Sequence, residues 1–134
     1  MSDFPPTVRH LIPCDDVRQD PTTPRVVTLV NVVHALQASG TPPYPARHPE
    51  LCVFVLMTEC RGEGRFQVRV VDADTWALAF ANRERTLRFP GNPLEVHGVA
   101  FRIQECPFPR PGLYLVQLWY DGRMILAEQP ILLR

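Results

Sequence analysis

The sequence predicts an all-β protein, an immunoglobulin-like antiparallel β-sandwich of seven to nine strands, and three observations carry that prediction. Period-two apolar alternation bounded by turn residues recurs from end to end, while no capped helix-period stripe holds for long. Of the 134 residues, 15 are proline, about twice the average usage of roughly 5%. Proline cannot donate to a ladder or sit inside a helix, so connections must be many and elements short. Finally, Asp121-Gly122 lies between two apolar runs, and such a pair is a strong hairpin signal because both residues accept positive φ. At this length one core suffices, and residues 1–134 read as a single domain.

Taken in order, "VRHLIPC" (Val8 to Cys14) forms a first strand and "DDVRQDPTTP" a polar loop. "RVVTLVNVVHAL", Arg25 to Leu36, is apolar or β-branched at nearly every position and reads as a buried strand. Gln37 to Pro49 carries four prolines and a glycine, and no regular structure is forced on it. In "LCVFVLM", Leu51, Val53, Val55 and Met57 occupy one face and Cys52, Phe54 and Leu56 the other. "RGEG" turns the chain, and "RFQVRVVDAD" alternates as a half-wet strand does. "TWALAFANRERTLRF" reads as a strand because Trp76, Leu78 and Phe80 alternate with alanines and "RFPGNP" ends it without a helix cap. "LEVHGVAFRIQEC" adds one more, with a bulge or bend expected at Gly98.

The segment "FPRPGLYLVQLWYDGR", Phe108 to Arg123, sets two constraints. Gly112, Tyr114 and Val116 resemble a tyrosine corner, in which the hydroxyl ties back to upstream backbone, and Val116 in place of a cysteine implies no inter-sheet disulfide. A two-residue Asp-Gly loop pairs Trp119 with Met124, Leu118 with Ile125, Gln117 with Leu126 and Val116 with Ala127. With Tyr114, Val116 and Leu118 inward, the outer face carries Leu115, Gln117, Trp119, Met124 and Leu126. If strand 51–57 lies in the same sheet, Phe54 extends the patch. A surface that apolar marks an interface.

The motifs "CDDVR" at Cys14–Arg18, "VRVVD" at Val68–Asp72, "FPRPGLY" at Phe108–Tyr114 and "YDGR" at Tyr120–Arg123 resemble, in this order, an uncharacterised bacterial domain family. The resemblance implies a β-sandwich and brings no catalytic residue, cofactor or substrate with it. At "ADTW" the chain departs from the family's turn, which leaves the next strand's boundary open.

Lys+Arg and Asp+Glu both total 14, so the chain lacks the positive field that draws nucleic acid or anionic membranes, and neither is an expected partner. The interrupted run "RERTLR" reads as a solvated strand edge. No leader or long apolar span stands out, so a soluble, cytoplasmic protein is expected. Cys14, Cys52, Cys60 and Cys106 show no C-x-x-C pairing and read as free buried thiols; the histidines His10, His34, His48 and His97 stand alone, and no phosphate loop is present. No cofactor or metal is expected. Asp15 and Asp16, adjacent on a strand end, point to opposite faces and are expected to serve structure rather than chemistry.

The expected function is therefore non-enzymatic: protein–protein contact or homodimerisation through the hairpin face. The alternative is a ligand- or peptide-binding pocket roofed by the Gln37–Pro49 loop, with Tyr44 and His48 as polar contacts. A metal-dependent hydrolase built on Asp15, Asp16 and a histidine is the most distant reading.

Overall fold

In the computed structural model, residues 4–23 and 25–134 are described, and these fold without a helix into ten strands. They are β1 (Thr7–Gln19), β2 (Val27–Val32), β3 (Ala35–Leu36), β4 (Ala46–Thr58), β5 (Gly62–Asp72), β6 (Leu78–Ala81), β7 (Arg85–Phe89), β8 (His97–Phe108), β9 (Gly112–Tyr120) and β10 (Met124–Leu133). One sheet has four strands in the order β2-β1-β4-β8, and the other runs β3-β10-β9-β5-β6, with β7 also paired to β5. All pairings are antiparallel except that of β3 with β10. The architecture is the expected β-sandwich, with one strand more than the upper bound of the prediction.

The core follows from alternation. Leu51, Val53, Val55 and Met57 of β4 face Phe66, Val68 and Val70 of β5 and Tyr114, Val116 and Leu118 of β9, all buried in one cluster. Each such side chain contributes about 1.5–3 kcal/mol through the apolar area it removes from water. Phe66 stacks on Tyr120 at 5.3 Å, and Phe108 meets Tyr114 edge-on at 5.0 Å. The tyrosine corner is present. The Tyr114 hydroxyl donates to the Arg110 carbonyl at 2.7 Å and accepts from the Arg110 N–H at 3.2 Å.

Several local expectations are corrected. β1 continues through "CDDVRQ" to Gln19, so the loop begins only at Asp20. The run Arg25–Leu36 is not one buried strand. β2 is an edge strand with no fully buried side chain, Asn31 takes φ +52°, and β3 crosses to the other sheet. β-branched content gave the strand tendency, but a single neighbour leaves both faces of β2 partly wet. The proline-rich segment ends earlier than expected, because β4 begins at Ala46 and Ala46, Arg47 and His48 already pair with β8. The turn before β5 lies at Glu59–Arg61, with Glu59 at φ +58°, and "GEG" belongs to the strand. Residues 75–89 form two short strands, β6 and β7, not one, and Trp76 stands exposed in the turn before them.

Gly98 is no bulge, since the β4–β8 register runs through it unbroken. Its role is close approach: a Cβ there would lie 3.0 Å from the Phe54 ring. The β9–β10 hairpin is offset by one residue from expectation, pairing Tyr120 with Met124 and Trp119 with Ile125, followed by a bulge at Leu126. Asp121 and Gly122 do take positive φ, and Arg123 N–H closes the turn on the Tyr120 carbonyl at 3.0 Å. Arg123 thus belongs to a three-residue loop.

At the edge of the four-stranded sheet, the Arg85 guanidinium reaches across from β7. It donates to the Ala100 carbonyl of β8 at 3.0 Å and lies 5.6 Å from the Phe101 ring centroid.

Candidate functional site

Strand β4 lies in the sheet opposite the hairpin, so the continuous patch expected from Phe54 to Trp119 does not exist. The register shift separates it further. Met124 pairs with Tyr120 rather than Trp119 and stays 43% exposed beside the turn, and Leu126 packs against the core. Leu115, Gln117 and Trp119 do point outward, yet they are engaged by their own sheet. The Trp119 indole N–H donates to Gln117 Oε1 at 3.0 Å, and the Gln117 amide donates to Glu128 at 3.1 Å. Arg69 stacks on the Trp119 ring at 4.0 Å while donating to Gln67 Oε1 at 2.7 Å, and Gln67 donates to the Asn82 carbonyl at 2.8 Å. This belt crosses the sheet from Asn82 to Glu128. A cation on an aromatic face and satisfied amides engage Trp119 and Gln117 themselves, while Ile125 opposite Trp119 stays partly exposed.

The larger concavity lies on the outer face of the four-stranded sheet. A groove of about 1110 Å³ has Phe54 and Leu56 of β4 and Gly98 and Ala100 of β8 among its lining, with Val26 on one flank and Leu94 and Val96 on the other. These flanking residues are 50%, 79% and 58% exposed. Two polar side chains build the flanks. Asp20 accepts from the N–H groups of Thr22 and Thr23 at 2.8 and 3.0 Å and from the Thr22 hydroxyl at 2.8 Å, folding the 20–26 loop. Those bonds hold its carboxyl below the usual range, the Thr22 N–H foremost. Asn92 folds the other flank by accepting the Leu94 N–H at 2.9 Å. Such side-chain turns fix loops that have little core of their own. Phe54 is thus a groove residue rather than part of a hairpin patch, and its ring passes over Gly98 because a larger residue would occupy that space.

The cavity beside the proline-rich loop is small, about 220 Å³, and includes His48 but not Tyr44 in its lining. The Tyr44 hydroxyl donates to the Arg134 carbonyl at 2.8 Å, tying the loop to the end of β10. His48 Nε2 lies 3.5 Å from Asp15 and has no hydrogen-bond partner. The two residues expected to share a ligand therefore do not converge.

Asp15 and Asp16 have separate partners. Asp15 accepts from Asn31 at 2.9 Å. Asp16 accepts from Arg102 at 2.6 Å, from its neighbour's Val17 N–H at 2.8 Å and from Arg18 at 3.4 Å. The Arg102 bond foremost lowers its carboxyl pKa. Among the described residues, no three His, Cys, Asp or Glu side chains gather as metal ligands, and no helix is long and apolar enough to cross a membrane. All four cysteines are free and buried, as expected.

The sequence placed Val26, Leu94 and Val96 in strands, and they lie instead in loops before β2 and β8. These loops are about seventy positions apart, and nothing in the local pattern signals that they converge.

A two-sheet sandwich closed by a tyrosine corner defines the class of protein. The chain belongs to a family of unknown function, DUF6941, whose model matches residues 10–132. No curated protein matches it. Among solved structures it is similar to the DNA-bound alkylpurine DNA glycosylase AlkC of Pseudomonas fluorescens, at 8% identity and a TM-score of 0.52, over 96% of this chain and 30% of that one. A β-glucosidase from Listeria innocua matches at 14% identity and a TM-score of 0.48, over 75% of this chain and 14% of that one. The chain thus spans less than a third of either protein, and at these identities the likeness concerns the fold alone.

Proposed function

We propose that this domain is a non-enzymatic binding module that takes an apolar segment of a protein partner into the groove on its four-stranded sheet. The single observation that carries the reading is the exposure of Val26, Leu94 and Val96 around an already formed concavity, where burying them on a partner would remove apolar area from water. The hairpin face is the weaker docking surface, because Trp119 and Gln117 are already satisfied by Arg69 and Glu128. The reading extends to a bacterial, cytoplasmic protein, a setting that four unpaired cysteines suit.

Selection of a displayed random-peptide library on the immobilised protein tests it, with Leu94→Glu/Val96→Glu as counter-target. Both substituted positions are exposed, so the fold should tolerate them. Apolar peptides retained by wild type and released by the double variant support the groove. Equal retention by both proteins, or no enrichment, overturns it. Light scattering covers the homodimer case: a dimer dissolved by the same substitutions makes a second copy the occupant.

A further inference from the structure

Outside the groove reading, one cluster of nucleophiles has no role in packing the core. Cys14 of β1 and Cys52 of β4 are directly opposite in register, and both are buried on the outer side of the four-stranded sheet, outside the core cluster. The next strand places Arg102 opposite Cys52. To reach Asp16 at 2.6 Å and the Val17 carbonyl at 2.9 Å, both on β1, the Arg102 side chain must cross β4 at the level of the thiols. The four groups form one row: Cys14, Cys52 and a guanidinium laid over them, clasped by a carboxylate.

We propose that Cys14 and Cys52 are a peroxide-responsive dithiol that closes to a cross-strand disulfide, with Cys52 as the attacking thiol and Cys14 as the resolving one. Directly paired residues on antiparallel strands have Cα atoms about 4.5–5.5 Å apart, within the roughly 4.4–6.8 Å that a disulfide spans. The roles follow from the neighbours. Burial is the foremost influence on Cys52 and raises it, while the charge of Arg102, opposite it in register, comes next and favours the Cys52 thiolate. Burial raises both thiols, with Cys14 pushed up to about 12. The lid is light, because Arg102 and Asp16 are themselves partly exposed and their clasp can open to solvent. A small oxidant suits so covered a pair.

In the first step the Cys52 thiolate attacks one oxygen of hydrogen peroxide, the O–O bond breaks, and the departing hydroxide takes up the Cys52 proton as water. In the second, the Cys14 sulfur attacks the Cys52 sulfenic acid and expels a second water with its own proton. Two thiols lose two electrons in total, and the peroxide gains them.

The test is peroxide treatment of the folded protein, followed by denaturation, alkylation with iodoacetamide and mass spectrometry. The expected result is two alkylated cysteines of the four, a mass lower by two hydrogens before alkylation, and a tryptic link between peptides 10–18 and 48–61 that dithiothreitol reverses. Fragmentation must place the link on Cys52 rather than Cys60. Cys60→Ser and Cys106→Ser should keep it, Cys52→Ser should lose it, and Cys14→Ser should trap a dimedone-reactive Cys52. Four alkylated cysteines after treatment, a link through Cys60, or sulfinic acid without a link would each overturn the proposal. The wild-type peptide map decides it even if a serine variant fails to fold.

Discussion

Replacing Tyr114 by Phe isolates the tyrosine corner, because the ring stays and only the hydroxyl goes. The ring is buried and keeps its edge-on contact with Phe108 at 5.0 Å. What is lost is the bond donated to the Arg110 carbonyl at 2.7 Å and the longer one accepted from the Arg110 N–H at 3.2 Å. A neutral hydrogen bond contributes about 0.5–1.5 kcal/mol net. Arg110 lies on an exposed loop, where water can serve its backbone once the hydroxyl is gone, so the pair together should cost about 1.5 kcal/mol. For a domain of 134 residues, an unfolding entropy of roughly 2.1 cal/mol/K per residue turns that cost into a fall in Tm of about 5 °C. Tyr114→Ala also empties the ring's space and should cost about 4 kcal/mol. Urea unfolding and calorimetry measure both. A Phe variant that melts with wild type would refute the energetic role of the corner, and one as damaged as the Ala variant would refute the partition between ring and hydroxyl.

Other outcomes are also specific. The bidentate Arg110 clasp, at 2.6 and 3.0 Å, holds the Asp72 carboxyl at about 2 against an ordinary 3.8. A depressed folded value means stability that is present above about pH 4 and lost as pH falls toward 2, and Asp72→Asn should flatten that part of a Tm–pH profile. Gly64→Ala puts a Cβ 2.5 Å from Tyr120 Cε1 and should cost about 2 kcal/mol in urea unfolding by overpacking, with partial recovery on adding Tyr120→Leu. Trp119→Glu breaks the belt from Asn82 to Glu128; it should lower Tm yet leave the light-scattering mass unchanged.

What the sequence disclosed was what alternation encodes. The inward set Tyr114, Val116 and Leu118, the corner at Arg110 and the positive-φ turn at Asp121-Gly122 are all local, and all are present. Neighbourhood is not local. Period two tells which face Phe54 occupies but not which sheet β4 joins, and that choice moved Phe54 from the hairpin patch to the groove. The one-residue hairpin offset shows how finely pairing depends on loop length, since it set Ile125 rather than Met124 opposite Trp119 and put Leu126 against the core. Trp119 looked adhesive because Arg69 and Gln117, polar in the sequence, gave no sign that they would cover it.

The reach of Arg85 to the Ala100 carbonyl has a consequence for how the molecule behaves in a crowded solution. A free strand edge recruits foreign strands through its unpaired carbonyls and amides, and this is how β-rich chains begin to form fibres. On β8 one of those acceptors is already taken by a charged group that no incoming strand can match. Loss of Arg85 should leave the isolated fold nearly intact while raising turbidity during prolonged storage, so this side chain acts less on stability than on colloidal lifetime.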